Sequence, residues 1–469
     1  MLTTLRAGKS WGRVAVLAVV WSPLLSAAEP NGPVDFAREI LPVLSDKCFV
    51  CHGPAGEARD ALRLDSFAAA TESHDGRQAI DPKVPGKSQI LVRIHSTEEP
   101  MPPADAEKQL TAAERELLDR WVRQGGTYAT HWSFVPPKKT PPDVRREGQH
   151  IIDDFIASGF DRRGGGFSPE ADRRTLARRA ALVLTGLPPD RGPLSEFLSD
   201  RRPGAYGRFV DRMLKHPRYG EHQARYWLDA VRYGDTHGLH LDNRRAIFPF
   251  RDWVVMALNR NLRLDKFITW QLAGDLLKDP TLEQLVATGF VRMNPSTAEG
   301  GAIPAEFQAK NNFDRVETLG TVFLGMSLTC ARCHTHKYDP IPQREYYRLL
   351  AFFNSTAEAS MDGNKYEYGP VIRAPGSLMA WRTWDNLHVL RKDLLARSAK
   401  NLKSLESASP EYRKDWTAAK PADQLVRVAD PKGPFAKLKL HEQATELVKR
   451  VAEVQKGFTS TLVARDLPK

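Results

Sequence analysis

The sequence predicts a mainly α-helical protein of several modules. Apolar residues recur at helical spacing through most of the chain, and capping and stop signals bracket those runs. The composition is that of globular domains, with 41% hydrophobic and 27% charged residues in 469. No period of solenoid length is present, so the modules are distinct units and not copies of one repeat.

Residues 1–28 read as a secretory signal. Arg6, Lys9 and Arg13 precede an apolar run from Val14 to Leu25, and Ser26-Ala27-Ala28 offers small residues for cleavage ahead of Glu29. The run is shorter than the roughly 20 residues a spanning helix needs, and Pro23 interrupts it. No later stretch reads as a membrane span. The expectation is an exported protein, in the periplasm or at the cell surface.

Residues 29–130 form the first predicted module. In "VDFAREILPVLSDKC", Phe36, Ile40, Val43 and Leu44 share one helical face that leads into Cys48. The four cysteines then fall into two copies of one pattern: Cys48, Cys51 and His52, and Cys330, Cys333 and His334. Cys-x-x-Cys followed at once by His is the haem c attachment signature. Two thiols form thioethers to the porphyrin vinyl groups, and the adjacent imidazole reaches the iron. A dithiol redox site calls for a thioredoxin-like strand-to-helix setting, which neither segment has. Zinc would have to unite ligands from distant parts of the chain and needs no His directly after each second Cys. Two disulfides are the remaining alternative for an exported chain. Two covalent haems c are expected, with His52 and His334 as proximal iron ligands.

The first module closes with "LTAAERELLDRWVRQGG". Thr111 and Glu114 stand in capping-box register, Leu117, Leu118, Trp121 and Val122 share a face, and Gly125-Gly126 ends the helix. Two terminal helices beside a haem suit a class I cytochrome-c-like fold. Met101, between Pro100 and Pro102-Pro103, is the candidate distal ligand, with His95 as the alternative. Met with His ligation raises the potential and fills the iron, which suits electron transfer.

Residues 131–150 are Pro-rich and charged, a semi-rigid linker. Residues 151–360 form a larger, mostly helical domain. "SPEADRRTLARRAALVLTGLPP" suggests Ser168 as N-cap, Pro169 in the first turn, a stripe of Leu176, Ala180, Val183 and Leu184, and Gly186 as stop. The blocks "TLARRAALVLTGLPP", "RYWLDAVRYGDTHG", "PFRDWVVMALN", "QLAGDLL" and "DRVETLGTVFLGMSLTCARCHTHKYDPIPQREYYRLLAFFN" together resemble large exported planctomycete proteins. Those proteins join a planctomycete cytochrome c domain to a second conserved domain of unknown function. "CFVCH", "MPP" and "HWSFVPP" resemble their cytochrome portion, and the resemblance spans roughly residues 35 to 360. Members of that family usually continue into a further C-terminal domain. Residues 361–469 here read as charged helices, pairing as a helical hairpin or coiled coil, and "STLVARDLPK" reads as the start of that further domain cut short.

The second haem has no evident distal ligand; Met326, His237 and His240 are candidates, and His336 stands too close to His334 to cross the same iron. Asp229, Arg232, Asp235, Glu299, Asp314 and Arg315 read either as a pocket above that haem or as ion pairs joining helices. Formal net charge is +11, but Lys and Arg are spread along the chain, which argues against a nucleic-acid surface and leaves an anionic polysaccharide as a possible partner. Three readings follow. The first is a dihaem electron-transfer cytochrome serving a redox partner protein, as a subunit or module of an oxidoreductase. The second is a peroxidase- or dehydrogenase-like enzyme with an open second haem. The third is a surface-binding protein whose haems are structural.

Overall fold

The computed structural model describes residues 32–53, 62–131, 134–142, 145–146, 150–161, 164–239 and 241–467. The proposed signal segment and His240 lie outside them. The fold is mainly helical, and contacts divide the chain into two units, the first ending at Val135 and the second beginning at Pro136.

The first unit begins with Asp35, whose carboxylate accepts from the backbone N–H groups of Ala37 and Arg38. It caps a π-helical turn, Phe36–Ile40, which continues as α1 (Leu41–Lys47) and, past a kink at Cys48, as α2 (Phe49–His52). The predicted stripe is buried: Ile40 and Leu44 have no exposed surface, and Phe36 and Val43 little. Two short helices follow, α3 (Phe67–Ala70) and α4 (Gln89–Ile94), with a two-residue hairpin between them, β1 (Ser73–His74) and β2 (Arg77–Gln78). The closing helix α5 (Ala112–Arg123) carries the expected capping box between Thr111 and Glu114. Its Leu118, Trp121 and Val122 complete one core with Phe36, Ile40 and Leu44. Phe36, Trp121 and Tyr128 form an aromatic triangle with centroid separations of 4.5 to 5.7 Å. Trp121 Nε1 donates to the Thr127 carbonyl and Tyr128 Oη to that of Leu64, so the two polar ring atoms are satisfied inside the core.

The second unit opens with α6 (Ile151–Asp161). Helix α7 (Arg173–Thr185) starts one turn later than Ser168 suggested, because Asp172 supplies the cap by accepting from Arg174 and Thr175 N–H. Its buried face is Ala177, Ala180 and Ala181, whereas Val183 is exposed. Small side chains let α8 (Arg191–Ser199) and α9 (Ala205–Leu214) pack close, with Phe197 and Phe209 filling the space. Gly186 ends α7 in the left-handed region, at φ 74°.

The main core is built around α10 (Pro217–Ala230) and α11 (Phe248–Asn259). Trp253 and Phe250 are fully buried on α11. Gly220 permits the approach: a Cβ there would stand 2.4 Å from the Val255 carbonyl oxygen. Helices α12 (Leu264–Ala273), α13 (Leu282–Ala287), α14 (Pro304–Leu319) and α15 (Gln343–Asn354) complete the shell.

The C-terminal segment returns into this core. Strand β3 (Val371–Pro375) leads into the long helix α16 (Leu378–Ser404), followed by α17 (Pro410–Ala418), α18 (Pro421–Val428) and α19 (Lys439–Lys456). Strand β4 (Phe458–Leu462) then pairs antiparallel with β3, Val371 opposite Leu462. Helices α16 and α19 pack together as a hairpin with α18 against them, around Leu394, Trp416, Val428 and Phe435. Beyond β4, the fully buried Arg292 donates to the Val463 carbonyl at 2.8 Å, and Ala464 N–H donates to Thr288 at 3.0 Å. No helix among the described residues is long and apolar enough to cross a membrane.

Candidate functional site

Cys48, Cys51 and His52 share one helical turn. The N–H groups of Cys51 and His52 both donate to the Cys48 carbonyl, at 3.2 and 2.8 Å. Cys48 packs against the core of the first unit, and that desolvation pushes its thiol up to about 12 against the opposing pull of Lys47. Cys51 is exposed on the outer side of the turn.

The His52 ring is oriented by its backbone surroundings. Nδ1 lies 2.7 Å from the Leu62 carbonyl oxygen, and the Leu64 N–H donates to the His52 carbonyl at 2.9 Å. A carbonyl only accepts, so Nδ1 carries the proton and Nε2 keeps its lone pair. This outer hydrogen bond is what a metal-binding imidazole uses to fix its tautomer.

Met101 lies half-buried on the connection between α4 and α5, its N–H donating to the Arg93 carbonyl at 3.1 Å. Two tethers join the motif helix to the far end of this connection. Lys108 Nζ reaches Asp46 at 2.7 Å, and Lys47 Nζ donates to the Gln109 carbonyl at 2.9 Å and to Glu114 at 2.6 Å. His95 is engaged elsewhere: its Nε2 sits 3.4 Å from Asp119 on α5. The Met101 thioether makes no such commitment among the described residues.

The second motif sits on a 3₁₀ turn, Thr329–Arg332, that ends at Cys333. Ala331 is fully buried and anchors the turn, while Cys330, Cys333 and His334 are exposed. The turn is clamped from both sides. The Arg332 guanidinium stacks 3.6 Å over the Phe313 ring of α14, and its carbonyl accepts from Gln343 and from Tyr347 Oη of α15, at 3.2 and 3.0 Å. None of the four cysteines is in a disulfide.

His334 repeats the chemistry of His52. Its Nδ1 lies 2.7 Å from the Thr335 carbonyl oxygen, which again leaves Nε2 as the free donor atom. Both motifs therefore present two cysteines and one imidazole whose Nδ1 is bonded to a backbone carbonyl, and these residue types fit covalent haem.

His336 has a different task, which the sequence did not disclose. Its side chain is 8% exposed, and its Nδ1 accepts from the N–H groups of Tyr338 and Asp339, at 3.3 and 2.8 Å. Its own N–H donates to the Ile341 carbonyl at 2.9 Å. His336 is thus the internal cap of the turn "HKYDP". His237 is similarly occupied: it is 2% exposed, with Nε2 3.1 Å from the Lys365 carbonyl oxygen and Nδ1 3.6 Å from Asp362. Burial holds its imidazole below the ordinary range. Met326 packs half-buried against the main core.

The charged residues singled out in the sequence serve mainly as ties. Arg232 pairs through both terminal nitrogens with Asp314 on α14, at 3.3 and 2.8 Å. Arg315 is buried against Glu358 and donates to the Val291 carbonyl at 3.0 Å. Among the described residues no group of three or more His, Cys, Asp and Glu side chains is arranged to hold a metal ion.

Residues 48–105 match the family model described as planctomycete cytochrome C, and residues 151–358 match the one described as a protein of unknown function, DUF1549. The chain is a planctomycete-type cytochrome c domain protein. The first match opens at Cys48 and includes His52 and Met101; the second includes Cys330, Cys333 and His334. This planctomycete-type protein is therefore a cytochrome-like, haem-binding protein. No curated protein and no solved structure matches the chain.

Proposed function

We propose that this protein is an exported dihaem c-type cytochrome that transfers electrons as a module of an oxidoreductase, handing them to or from a redox partner protein. The observation that carries the reading is the repetition of one device: Cys-x-x-Cys-His with the imidazole Nδ1 bonded to a backbone carbonyl at 2.7 Å, at both His52 and His334. Cys48 and Cys51 would hold the first haem c and Cys330 and Cys333 the second, with His52 and His334 on the irons and Met101 opposite His52. Bound haem supplies a one-electron couple, and the chain's contribution is to fix ligand orientation and exclude water. The basic, apolar and small-residue order of residues 1–28 supports export, where covalent haem attachment is expected.

A second reading is favoured by the side chains of the second domain. His237 and His336 are committed to backbone partners, so neither is held ready for the far side of the second iron. An open position there would permit peroxidase- or dehydrogenase-like chemistry. The net charge of +11 supports an additional contact with anionic polysaccharide. A ferric spectrum with peroxide and cyanide titrations tests the choice. Two low-spin haems inert to both support electron transfer alone; one high-spin haem that reacts, and is lost with His334→Ala, replaces that reading with the enzyme.

A further inference from the structure

A cavity of about 540 Å³ opens between α8 and α9, away from both cysteine motifs in sequence. An aromatic pair lies buried beneath its floor. Phe197 and Phe209 are buried with ring centroids 5.0 Å apart, and the Arg173 guanidinium stacks 4.1 Å from the Phe197 ring centroid. Its rim is cationic, with Arg201, Arg202, Arg208 and Arg212 set against only Asp200 and Glu196.

The two carboxylates orient arginines without neutralising the rim. Asp200 accepts from Nε and Nη2 of Arg202, at 2.9 and 3.0 Å, and from Nε and Nη2 of Arg208, at 3.1 and 2.7 Å. Those hydrogen bonds hold the Asp200 carboxyl well below the usual range, so the cluster stays ionised. Arg212 pairs with Glu196 at 2.5 Å. Arg201 is exposed and has no carboxylate partner among the described residues. Four guanidinium groups against two carboxylates leave an excess of positive charge around the cavity.

Guanidinium forks match sulfate and carboxylate groups, and the volume lies within the range of ligand sites. We propose that this cavity binds an anionic polysaccharide, with Arg201 and Arg212 on its sulfate or carboxylate groups. The proposal rests on the polysaccharide contact suggested above and assigns it to a site. Arg202 and Arg208, locked to Asp200, fix the shape of the rim, and the open cleft admits a chain instead of a single enclosed ion.

The test uses the full chain with its haems and measures binding to dextran sulfate, to alginate and to inorganic sulfate at about 0.15 M salt, where exposed charges beyond roughly 8 Å are screened. Three variants are compared: R201A, R201A/R212A, and a control in the C-terminal hairpin, K400A/K439A. The expected result is polymer binding that weakens about tenfold or more in R201A/R212A, less in R201A, and not in the control. Equal binding by all variants, or equal loss in the control, overturns the site while leaving the polysaccharide contact standing. Failure of the wild-type chain to bind either polymer overturns the contact and the site together. Binding of inorganic sulfate alone replaces the glycan with a small anion. Because Arg201 is exposed, R201A keeps the test valid should the double variant misfold.

Discussion

The Nδ1 atom of His52 lies 2.7 Å from the carbonyl oxygen of Leu62. The bond fixes the tautomer, and the Lys47 and Lys108 tethers join the helix ahead of Cys48 to the end of the Met101 connection. The first haem should therefore respond separately to its two axial candidates. His52→Ala is expected to remove a low-spin signal. Met101→Ala should abolish the sulfur-to-iron charge-transfer band and lower one potential by on the order of 0.1 V. Potentiometric titration of both variants checks this; an unchanged band in Met101→Ala removes Met101 from the iron.

His336 predicts an effect on the turn and not on the iron. Replacing it with Ala removes the acceptor of the Tyr338 and Asp339 N–H groups, which stay within reach of water, a cost of about 0.5–1.5 kcal/mol. His336→Asn, whose side-chain oxygen can accept, should restore part of the loss. Urea unfolding read beside haem content checks it; full stability in His336→Ala contradicts the capping role.

The Lys47–Glu114 pair predicts a pH dependence. Burial works to raise the Glu114 carboxyl, but hydrogen bonds from Lys47 and Thr111 outweigh it and hold the group below its ordinary value. A depressed folded-state value means stability fully present above the ordinary carboxylate range and lost as pH falls through the folded value. Glu114→Gln should be less stable at pH 7 and should flatten the acid limb of a urea-midpoint profile below about pH 5. Parallel profiles for the two proteins would refute the assignment.

Strand β4 predicts a domain boundary. Leu462 N–H donates to the Ala246 carbonyl at 2.7 Å, Val463 accepts from Arg292, and the Arg465 carbonyl accepts from Ala357 N–H at 2.8 Å. Residues 458–467 thus pair with backbone and side-chain groups of the second unit, the buried Arg292 among them. A fragment of residues 151–358, the whole DUF1549 match, is expected to lack a cooperative transition and to be cut rapidly by protease, whereas residues 136–467 should fold. A cooperative unfolding curve for the shorter fragment contradicts this.

The sequence showed what is local in the chain. The capping box at Thr111 and Glu114, the stop at Gly186 and the stripe from Phe36 to Leu44 are all set by residues within one or two turns, and each is present. The start of α7 was misplaced because Ser168 and Asp172 are both good caps, and only the structure shows which one bonds the first turn. The pairing of β3 with β4 joins segments separated by the whole C-terminal hairpin, so no local pattern announces it. At the site, both cysteine motifs were legible from spacing alone. The carbonyl partners of His52 and His334, and the turn inside "HKYDP", depend on backbone placement that residue identity does not encode.

The central claim is two haems on one chain, and counting covalent haem tests it most directly. The chain, produced with a haem c maturation system, is taken to intact mass and haem quantitation after denaturation. The account predicts a mass raised by two haems per chain, falling to one in Cys330→Ser/Cys333→Ser and in Cys48→Ser/Cys51→Ser alike. A wild-type chain carrying a single haem, unaffected by loss of Cys330 and Cys333, would contradict it.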